Sequence, residues 1–246
     1  MAAGQTPLFR FKHGDHACIF YRSDDSLMEI LTPYVAEGLL KGERCFGAQK
    51  PHILKRLFYD LRFLGIDVDR ELKRGALEFH TENEVYFSKG IFEPAVMMEM
   101  LLQSIEDSAQ KGFTCFRTAG DMSWAVRGWN MCDQILGYES MVEKFYPGRT
   151  ATGICQYPIA DFPPKVLDEV LRAHRLHLAA DPNKVYRSMH VGYVNCSAEI
   201  VANKFDVNPY YYYVVEQHRP QEIVGWGVSS DFDSAAAHVD QIAHTI

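Results

Sequence analysis

The sequence has few basic residues for its length. Among 246 residues, 25 lysines and arginines stand against 32 aspartates and glutamates, which gives a formal net charge of −7. No basic cluster is present that could follow a phosphate backbone, so we expect no direct binding of nucleic acid. No apolar run approaches the roughly 20 residues that a membrane span needs. Residues 1–11 also lack the basic and then apolar pattern of a signal peptide. We therefore expect a cytoplasmic protein without a membrane partner.

Cysteine is scarce and forms no Cys-x-x-Cys pair. Several of the six cysteines belong to apolar runs, and all lie far apart in the sequence: Cys18, Cys45, Cys115, Cys132, Cys155 and Cys196. Isolated cysteines of this kind are typical of reduced thiols in a cytosolic protein. The sequence therefore predicts no disulfide framework.

A glycine-rich phosphate loop is missing as well. The turn after the first apolar run, residues 21–26, reads Tyr-Arg-Ser-Asp-Asp-Ser, with two carboxylates where phosphates would lie. The second such turn, residues 49–52, contains no glycine either. Phosphate binding at this position relies on glycines and free backbone N–H groups. We therefore expect neither an ordinary P-loop ATPase nor a Rossmann dehydrogenase.

Short apolar runs alternate with longer helical patterns in the first two thirds of the sequence. The patterns predict strands over residues 16–21, 44–48, 76–80, 113–118 and 152–157, and helices over residues 24–41, 51–64, 94–111, 129–145 and 163–178. Ser23 or Asp24 can cap the first helix, and Gly42 suits its end. This alternation predicts an α/β fold with a mainly parallel sheet and helices on both faces.

The pattern changes after residue 182. Apolar and aromatic runs predict strands over residues 191–194, 210–215 and 223–228, followed by a helix over 234–244. We therefore place a domain boundary after residue 162, with residues 163–246 forming a C-terminal helix and a small α+β extension. The tyrosines at 210–213 could contribute to a protein interface, and a homo-oligomer is left open.

Asp121 is the most prominent polar residue at the end of a predicted strand. It follows the fourth strand, and ligands of parallel α/β sheets bind beyond the carboxyl ends of the strands. Two interpretations stay open: Asp121 caps the next helix through Ser123, or it faces a ligand.

Two short-range pairs offer metal ligands. His174 and His177 lie three apart on a predicted helix, and His16 and Cys18 lie two apart on a predicted strand. Neither pair has an evident third ligand, so we predict no metal and no cofactor. The sequence also lacks a Gly-x-Ser-x-Gly nucleophile elbow, and we expect no enzymatic activity.

Aromatic and methionine residues are frequent around the later helices. They could line an apolar pocket, although ordinary core packing is the alternative. The residues in question are Met97, Met98, Met100, Met122, Trp124, Trp129, Met131, Phe145 and Tyr146.

Five segments in order resemble the MEDS domain, the methanogen/methylotroph dichloromethane-regulator sensory domain. Residues 14–21 resemble its Gly-x-His-x-x-x-x-Tyr opening, and residues 38–44 and 64–68 resemble its "GL-x-x-GE" and "LG-[IV]-DV" segments. Gly120-Asp121-Met122 is similar to its "GEM" signature, with aspartate in place of glutamate. Residues 136–157 resemble its closing block, with Glu139 and the Cys-Gln-Tyr-Pro of 155–158 at the matching points. The resemblance covers residues 8–162.

The resemblance implies a RecA/KaiC-like sheet without a working nucleotide loop and a sensory role toward small hydrocarbon-derived molecules. It makes residues 1–162 a MEDS-like sensory domain. Our leading hypothesis is a sensor that binds a small, largely apolar molecule at the carboxyl edge of the sheet and signals to a regulatory protein partner. We expect polar contacts from His16, Tyr21, Asp121, Glu139 and Tyr157, and an apolar wall from Met122 and Trp124. The alternatives are a degenerate ATPase-like scaffold that binds only protein partners, and an enzyme or nucleotide binder of altered design.

Overall fold

A six-stranded sheet in which every strand pair is parallel forms the centre of the first part of the chain. The computed structural model describes residues 11–127, 131–174, 176–178, 188–192, 196–203, 210–218, 221–229 and 232–246. The chain divides into two compact units, Met1–Ala180 and Asp181–Ile246.

The strands of the first unit lie in the order β3-β2-β4-β5-β1-β6. Their bounds are β1 His16–Tyr21, β2 Arg44–Gln49, β3 Leu77–Thr81, β4 Phe116–Asp121, β5 Ala151–Pro158 and β6 Leu176–Leu178. The helices are α1 Asp24–Leu40, α2 Pro51–Phe63, α3 Val68–Lys73, α4 Glu82–Tyr86, α5 Pro94–Gln110, α6 Met131–Phe145 and α7 Pro164–Ala173, with a short 3-10 helix at Ser123–Val126. This architecture confirms the predicted α/β class with a mainly parallel sheet.

The first strand–helix unit follows local sequence rules. All six residues of β1 are buried, as the unbroken apolar run predicts for a central strand. The N-cap of α1 is Ser23, whose hydroxyl accepts a hydrogen bond from the backbone N–H of Ser26. After the helix, Gly42 adopts a φ of +76°, a left-handed conformation that glycine adopts without steric cost.

Strand alternation divides the sheet residues between two faces. His16, Cys18 and Phe20 share one face of β1, while Tyr21 lies on the other, because successive side chains point to opposite sides. The register pairs Cys18 with Cys155 and therefore places these two residues on the same face. This division decides which of the predicted site residues can meet.

The second unit contains a four-stranded antiparallel sheet in the order β10-β9-β8-β7 and one helix. The elements are β7 Ser188–Gly192, β8 Cys196–Asn203, β9 Tyr210–His218, β10 Gln221–Ser229 and α8 Phe232–Ala243. Val215 of β9 packs with Ala235 and Val239 of α8 in its core. The unit matches the predicted α+β extension, although β8 was not predicted.

Several features of the first unit differ from the predictions, and the short helices α3 and α4 were not predicted. The helix predicted over 163–178 ends at Ala173, because His174 is extended and Leu176–Leu178 pair with β1 instead. The fourth strand begins at Phe116 rather than at residue 113, since Gly112 has a φ of +81° and Thr114 bonds to the Gly42 carbonyl. The first compact unit also extends to Ala180, beyond our boundary after residue 162, because β6 belongs to the central sheet and α7 packs on α6.

Helix length and composition bear on membrane insertion. Among the helices that the structure describes, none has both the length and the apolar character that crossing a bilayer requires.

Candidate functional site

Four buried side chains converge on one point between the sheet and helices α6 and α7. His16, Glu139, Cys155 and His174 each offer one nitrogen, oxygen or sulfur atom, and these four atoms all lie within 4.8 Å of one another. None of the four residues exposes more than 8% of its surface. We refer to these residues as the Glu139 cluster.

The fold brings the cluster together from four separate elements. His16 begins β1, and Cys155 lies on β5, the neighbouring strand, on the same face. Glu139 comes from the middle of α6, and His174 is the C-cap residue of α7. The cluster therefore depends on long-range strand register and helix packing rather than on a short sequence motif.

The distances within the cluster are short. Nε2 of His174 lies 3.2 Å from Oε2 of Glu139, and Nε2 of His16 lies 3.6 Å from the same oxygen. Nε2 of His16 also lies 3.3 Å from Sγ of Cys155. The His16 and His174 rings are tilted against each other with centroids 4.3 Å apart.

Further hydrogen bonds orient His16, His174 and Glu139 from outside the cluster. Nδ1–H of His16 donates to Oε2 of Glu143 over 3.0 Å, and Nδ1–H of His174 donates to the Val170 carbonyl over 2.7 Å. The Tyr157 hydroxyl donates to Oε1 of Glu139. Both Nε2 atoms and Oε2 of Glu139 are thereby left facing the centre of the cluster.

The protonation of the cluster follows from burial and from the paired charges. Burial opposes ionisation of Glu139, but the contacts with His174, His16 and Tyr157 together outweigh it and lower the pKa of the carboxyl to about 2. Burial also opposes protonation of His174, yet the Glu139 carboxylate raises its pKa. Burial and the charge of His174 lower the pKa of His16, and burial with the charge of Glu139 raises the pKa of the Cys155 thiol. These shifts favour the ionised form of Glu139, the protonated form of His174 and the neutral forms of His16 and Cys155.

A small internal cavity of about 30 Å³ borders the cluster. It lies between the sheet and helices α5 and α6, and His16 and Cys155 form part of its wall. Methionine, leucine, valine and tyrosine side chains contribute much of the remaining wall, including Met97, Met100, Leu101, Tyr138, Val142 and Tyr146. Of the residues that we predicted for an apolar pocket, Met97, Met100 and Tyr146 line this cavity. Trp129 and the side chains of Met131 and Tyr210–Tyr213 lie outside the described residues.

Three of the predicted polar site residues meet, and two lie elsewhere. His16, Glu139 and Tyr157 belong to the cluster or contact it directly. Tyr21 and Asp121 lie on the opposite face of the sheet, because Tyr21 is five residues after His16 in one strand and Asp121 pairs with Gln156, the neighbour of Cys155. The single site that we predicted from all five residues is therefore divided by the sheet.

Asp121 makes the capping contact considered from the sequence. Its Oδ1 accepts a hydrogen bond of 2.7 Å from the backbone N–H of Ser123, at the start of the 3-10 helix. Its Oδ2 lies 3.7 Å from Nζ of Lys50, without a hydrogen-bond partner among the described residues. Burial raises the pKa of the Asp121 carboxyl, and burial with the charge of Asp121 raises the pKa of the Tyr21 hydroxyl.

The predicted apolar wall residues Met122 and Trp124 pack in an aromatic cluster. The Tyr86 hydroxyl donates to Sδ of Met122, and the Trp124 ring contacts Tyr86, Phe87 and Phe92 at centroid distances of 4.9, 5.4 and 4.4 Å. Both residues are buried, and neither lines the cavity beside His16. These contacts are those of core packing, although Trp124 also lines a second pocket, of about 380 Å³, with Phe87 and Arg127.

Sequence reasoning missed Cys155, His174 and Glu143 as members of one arrangement. We considered His16 with Cys18 and His174 with His177, whereas the structure joins His16 to His174 and Cys155. His177 lies on β6, and its Nε2–H donates to the Leu171 carbonyl instead. One signal was available: Cys155 lies two residues before Tyr157, so the two residues share a strand face.

Comparison with known proteins identifies the first unit. Residues 15–175 match the family described as MEDS, the methanogen/methylotroph, DcmR sensory domain. A transcriptional repressor, DcmR of Methylorubrum extorquens, is 27% identical over 168 residues, which cover 65% of this chain and 58% of the repressor. The chain thus spans little more than half the length of that relative.

Solved structures resemble the chain at low sequence identity. The flagellar accessory protein FlaH of Methanocaldococcus jannaschii has a TM-score of 0.45 at 10% identity, covering 88% of this chain and 90% of that one. A KaiC-like protein of Pyrococcus horikoshii has a TM-score of 0.44 at 9% identity, covering 89% and 91%. Both scores are below 0.5, so the α/β assignment rests on the sheet itself. The family match, by contrast, covers more than half of the sequence and includes all four residues of the Glu139 cluster. The chain belongs to the MEDS family of sensory domains.

Proposed function

We propose that this sensory domain binds a small, largely apolar, hydrocarbon-derived molecule in the cavity between the sheet and helices α5 and α6. The observation that carries the proposal is the wall of the cavity, which is largely apolar and includes the polar side chains of His16, Cys155 and Thr118. Binding sites for small molecules combine an apolar lining with a few placed polar groups in this way. We propose a binding role and no catalytic step.

The side chains around the cavity suit a ligand of this class. Met97 and Met100 are unbranched and adaptable, so they can close around small molecules of different shape. The wall also contains polar side chains, among them Thr118, Tyr138 and Tyr146, which can contact a hydroxyl group or a halogen of the ligand. The volume of about 30 Å³ restricts the ligand to a few heavy atoms unless the wall moves.

Helix α6 offers a route from the cavity to a partner protein. Val142 of α6 lines the cavity, while Glu139 and Glu143 of the same helix hold the two histidines. A ligand that contacts Val142 would therefore change the contacts of the whole helix. The difference in binding free energy of the ligand between two helix positions is the free energy available for signalling. We propose that a regulatory protein reads this shift. Because the chain spans 58% of the repressor relative, we propose only the sensory role and not the activity of that whole protein.

The alternative is a degenerate ATPase-like scaffold that binds protein partners without a small ligand. It is favoured by exposed apolar side chains at the end of α2: Tyr59, Phe63 and Leu64 are 69%, 84% and 54% exposed. Under this alternative, the cavity is a packing defect and the exposed residues contact a partner or a second copy of the chain.

Thermal unfolding separates the two functions. The full chain is heated with one- to three-carbon alcohols and halogenated alkanes, and separately with ATP and ADP. A ligand at a hundredfold its dissociation constant adds about 2.7 kcal/mol to stability, which raises the Tm by several degrees. Val142→Leu, which extends into the cavity, should abolish the shift, whereas the matched change Val96→Leu on α5 should preserve it.

Different unfolding results would contradict the proposed site or support one of the alternatives. No shift with any apolar compound contradicts the proposed site, and a defined oligomer by light scattering would then favour the scaffold. A shift that survives in Val142→Leu also contradicts the site, because the ligand would then bind elsewhere. A shift with ATP or ADP would support a nucleotide binder of altered design.

A further inference from the structure

The Glu139 cluster has the donor atoms of a transition-metal site. Two imidazoles, one thiol and one carboxylate converge there, and these are the three kinds of ligand that zinc uses in proteins. A thiolate and two imidazoles disfavour Mg²⁺ and Ca²⁺, which prefer oxygen ligands. We propose that His16, Glu139, Cys155 and His174 together bind one divalent transition-metal ion of the zinc class. This proposal goes beyond the binding of an apolar molecule and does not rest on it.

The spacing of the donor atoms fits a tetrahedral ion. With metal–ligand bonds of about 2.0 to 2.3 Å, neighbouring ligand atoms of a tetrahedron lie about 3.3 to 3.7 Å apart. The separations in the cluster are 3.2 Å for His174 to Glu139, 3.6 Å for His16 to Glu139 and 3.3 Å for His16 to Cys155. The remaining pairs lie within 4.8 Å, so side-chain movements of about an ångström would complete the tetrahedron.

The contacts behind the ligands are those of an oriented metal site. Metal-binding histidines commonly donate their other ring N–H to a carboxylate or a backbone carbonyl, which fixes the tautomer. Nδ1 of His16 contacts Glu143 in this way, and Nδ1 of His174 contacts the Val170 carbonyl. Because each Nδ1 carries the proton, the lone pair of each neutral imidazole lies on Nε2, toward the cluster centre. The Tyr157 hydroxyl orients the Glu139 carboxylate from behind.

Two polar atoms at the cluster centre lack hydrogen bonds. Within the described part of the chain, neither Oε2 of Glu139 nor Nε2 of His174 has a partner with hydrogen-bond geometry, although both are fully buried. They approach to 3.2 Å but are not aligned. Their contact is a charge pair without an aligned hydrogen bond, and a metal ion at the centre would coordinate both atoms at once. This observation points to a ligand independently of the donor types.

The charges balance when a divalent ion binds. Cys155 would release its thiol proton and His174 its second ring proton, leaving two neutral imidazoles, one thiolate and the existing Glu139 carboxylate. The two negative charges then neutralise the ion in a buried site. Since His16 and Cys155 also line the small cavity, the ion would stiffen its polar wall.

Cobalt spectroscopy tests the proposal on the full chain. The chain is purified, treated with a chelator, dialysed and titrated with Co²⁺, with Zn²⁺ as competitor. We expect one equivalent of Co²⁺ with the absorption of a tetrahedral site and a thiolate charge-transfer band, both removed by Zn²⁺. Cys155→Ser should eliminate the charge-transfer band, while Cys45→Ser, at another buried cysteine on β2, should leave it intact.

Two further variants keep the test decisive. His174→Gln removes a ligand without changing a cysteine and should weaken Co²⁺ binding by at least tenfold. It replaces Cys155→Ser as the test if circular dichroism shows that Cys155→Ser does not fold. Glu143→Gln, behind His16, should weaken binding by about 10- to 100-fold while leaving the band shape unchanged. The proposal is overturned if the chelator-treated native chain binds no Co²⁺, or if Cys155→Ser retains the thiolate band. Failure here leaves the apolar cavity untouched, since its own test uses organic ligands without metal.

Discussion

The Glu139 carboxylate lies 3.2 Å from Nε2 of His174, and neither side chain is open to solvent. This pair joins the middle of α6 to the end of α7, and the hydrogen bond from Tyr157 extends the connection to β5. Buried charges of opposite sign are stable only as long as both partners are present. The pair is therefore a structural constraint as well as a candidate binding group.

Removal of Glu139 should destabilise the domain strongly. Glu139→Ala leaves His174 without its ion-pair partner and the Tyr157 hydroxyl without its acceptor, and breaking a buried pair costs about 3–5 kcal/mol. Thermal or urea unfolding in the presence of a chelator measures this cost for the metal-free chain. Glu99→Ala, at an exposed glutamate of α5, is the control and should change stability by less than about 0.5 kcal/mol. Equal stabilities of the two variants would show that the pair contributes nothing.

A side chain at Gly120 should destabilise the fold, because the Tyr86 hydroxyl occupies the space that a Cβ atom would need. A Cβ atom at Gly120 would meet the Tyr86 hydroxyl oxygen, whereas the next ring atom, Cζ, is 3.7 Å away. We expect Gly120→Ala to cost about 1–3 kcal/mol through overpacking. The double variant Gly120→Ala with Tyr86→Phe should recover most of this loss, which chemical denaturation can measure as a coupling energy.

A glycine elsewhere provides the matched control for that substitution. Gly137 lies on α6, and a Cβ there would meet nothing within 4 Å. Gly137→Ala should therefore be stabilising by up to about 1 kcal/mol, since alanine is the better helix former. Loss of stability in Gly137→Ala, or no rescue of Gly120→Ala by Tyr86→Phe, would contradict the steric explanation.

Asp121 should make stability depend on pH in a defined direction. Burial raises its pKa above the ordinary value of 3.8, so the folded chain holds this proton at a pH where the unfolded chain has lost it. Ionisation of Asp121 therefore lowers stability as pH rises above 3.8. Asp121→Asn removes the charge while its amide oxygen can still accept the Ser123 N–H bond.

The comparison of native chain and variant reveals this effect. We expect Asp121→Asn to be more stable at neutral pH, with a difference that shrinks as the pH falls through the raised pKa toward 3.8 and disappears well below 3.8, where this carboxyl is neutral in both the folded and the unfolded native chain. Urea unfolding across the pH range measures it, and Asp69→Asn, at an exposed side chain, is the control. A difference that does not change with pH would argue against burial of the charge as its cause.

Local sequence signals predicted the strands and helices that are defined by nearby residues. The apolar run of β1 and the cap of α1 require no information from the rest of the chain: β1 was predicted at the correct residues, and Ser23 was one of the two predicted caps. Strand β6 has only three residues and exists because it pairs with β1, a contact more than 150 residues away in sequence. Its sequence continues the apolar spacing of α7, so a single helix was predicted across both.

The candidate site was only partly predictable for a similar reason. His16, Glu139 and Tyr157 were identified through the family resemblance, but their meeting with Cys155 and His174 depends on strand register and on where α7 ends. Alternation along β1 is by itself enough to separate Tyr21 from His16, since an odd spacing within one strand places two side chains on opposite faces. The register that brings Cys155 beside His16 has no local signal.

Arg117 should be as important to the other face of the sheet as Glu139 is to its own. Its guanidinium donates to Glu43 and to the Tyr34 carbonyl, lies 3.4 Å from Glu37, and stacks 4.5 Å from the Tyr34 ring centroid. Gly38 allows this approach, because a Cβ there would lie 2.8 Å from the arginine side chain. Arg117→Leu would leave Glu43 buried without a partner and should cost about 3–5 kcal/mol.

A second substitution distinguishes loss of the charge pair from loss of packing. Replacing both residues, Arg117→Leu with Glu43→Leu, removes the unpaired charge and should recover a large part of the stability, because apolar replacements of buried ion pairs are often close to neutral. Chemical denaturation of the two single variants and the double variant gives the coupling energy. Additive losses would show that Arg117 acts through its contacts with Tyr34 and Glu37 rather than through Glu43. A favourable coupling of more than about 1 kcal/mol would establish that the charge pair holds the segment between α1 and β2 to β4.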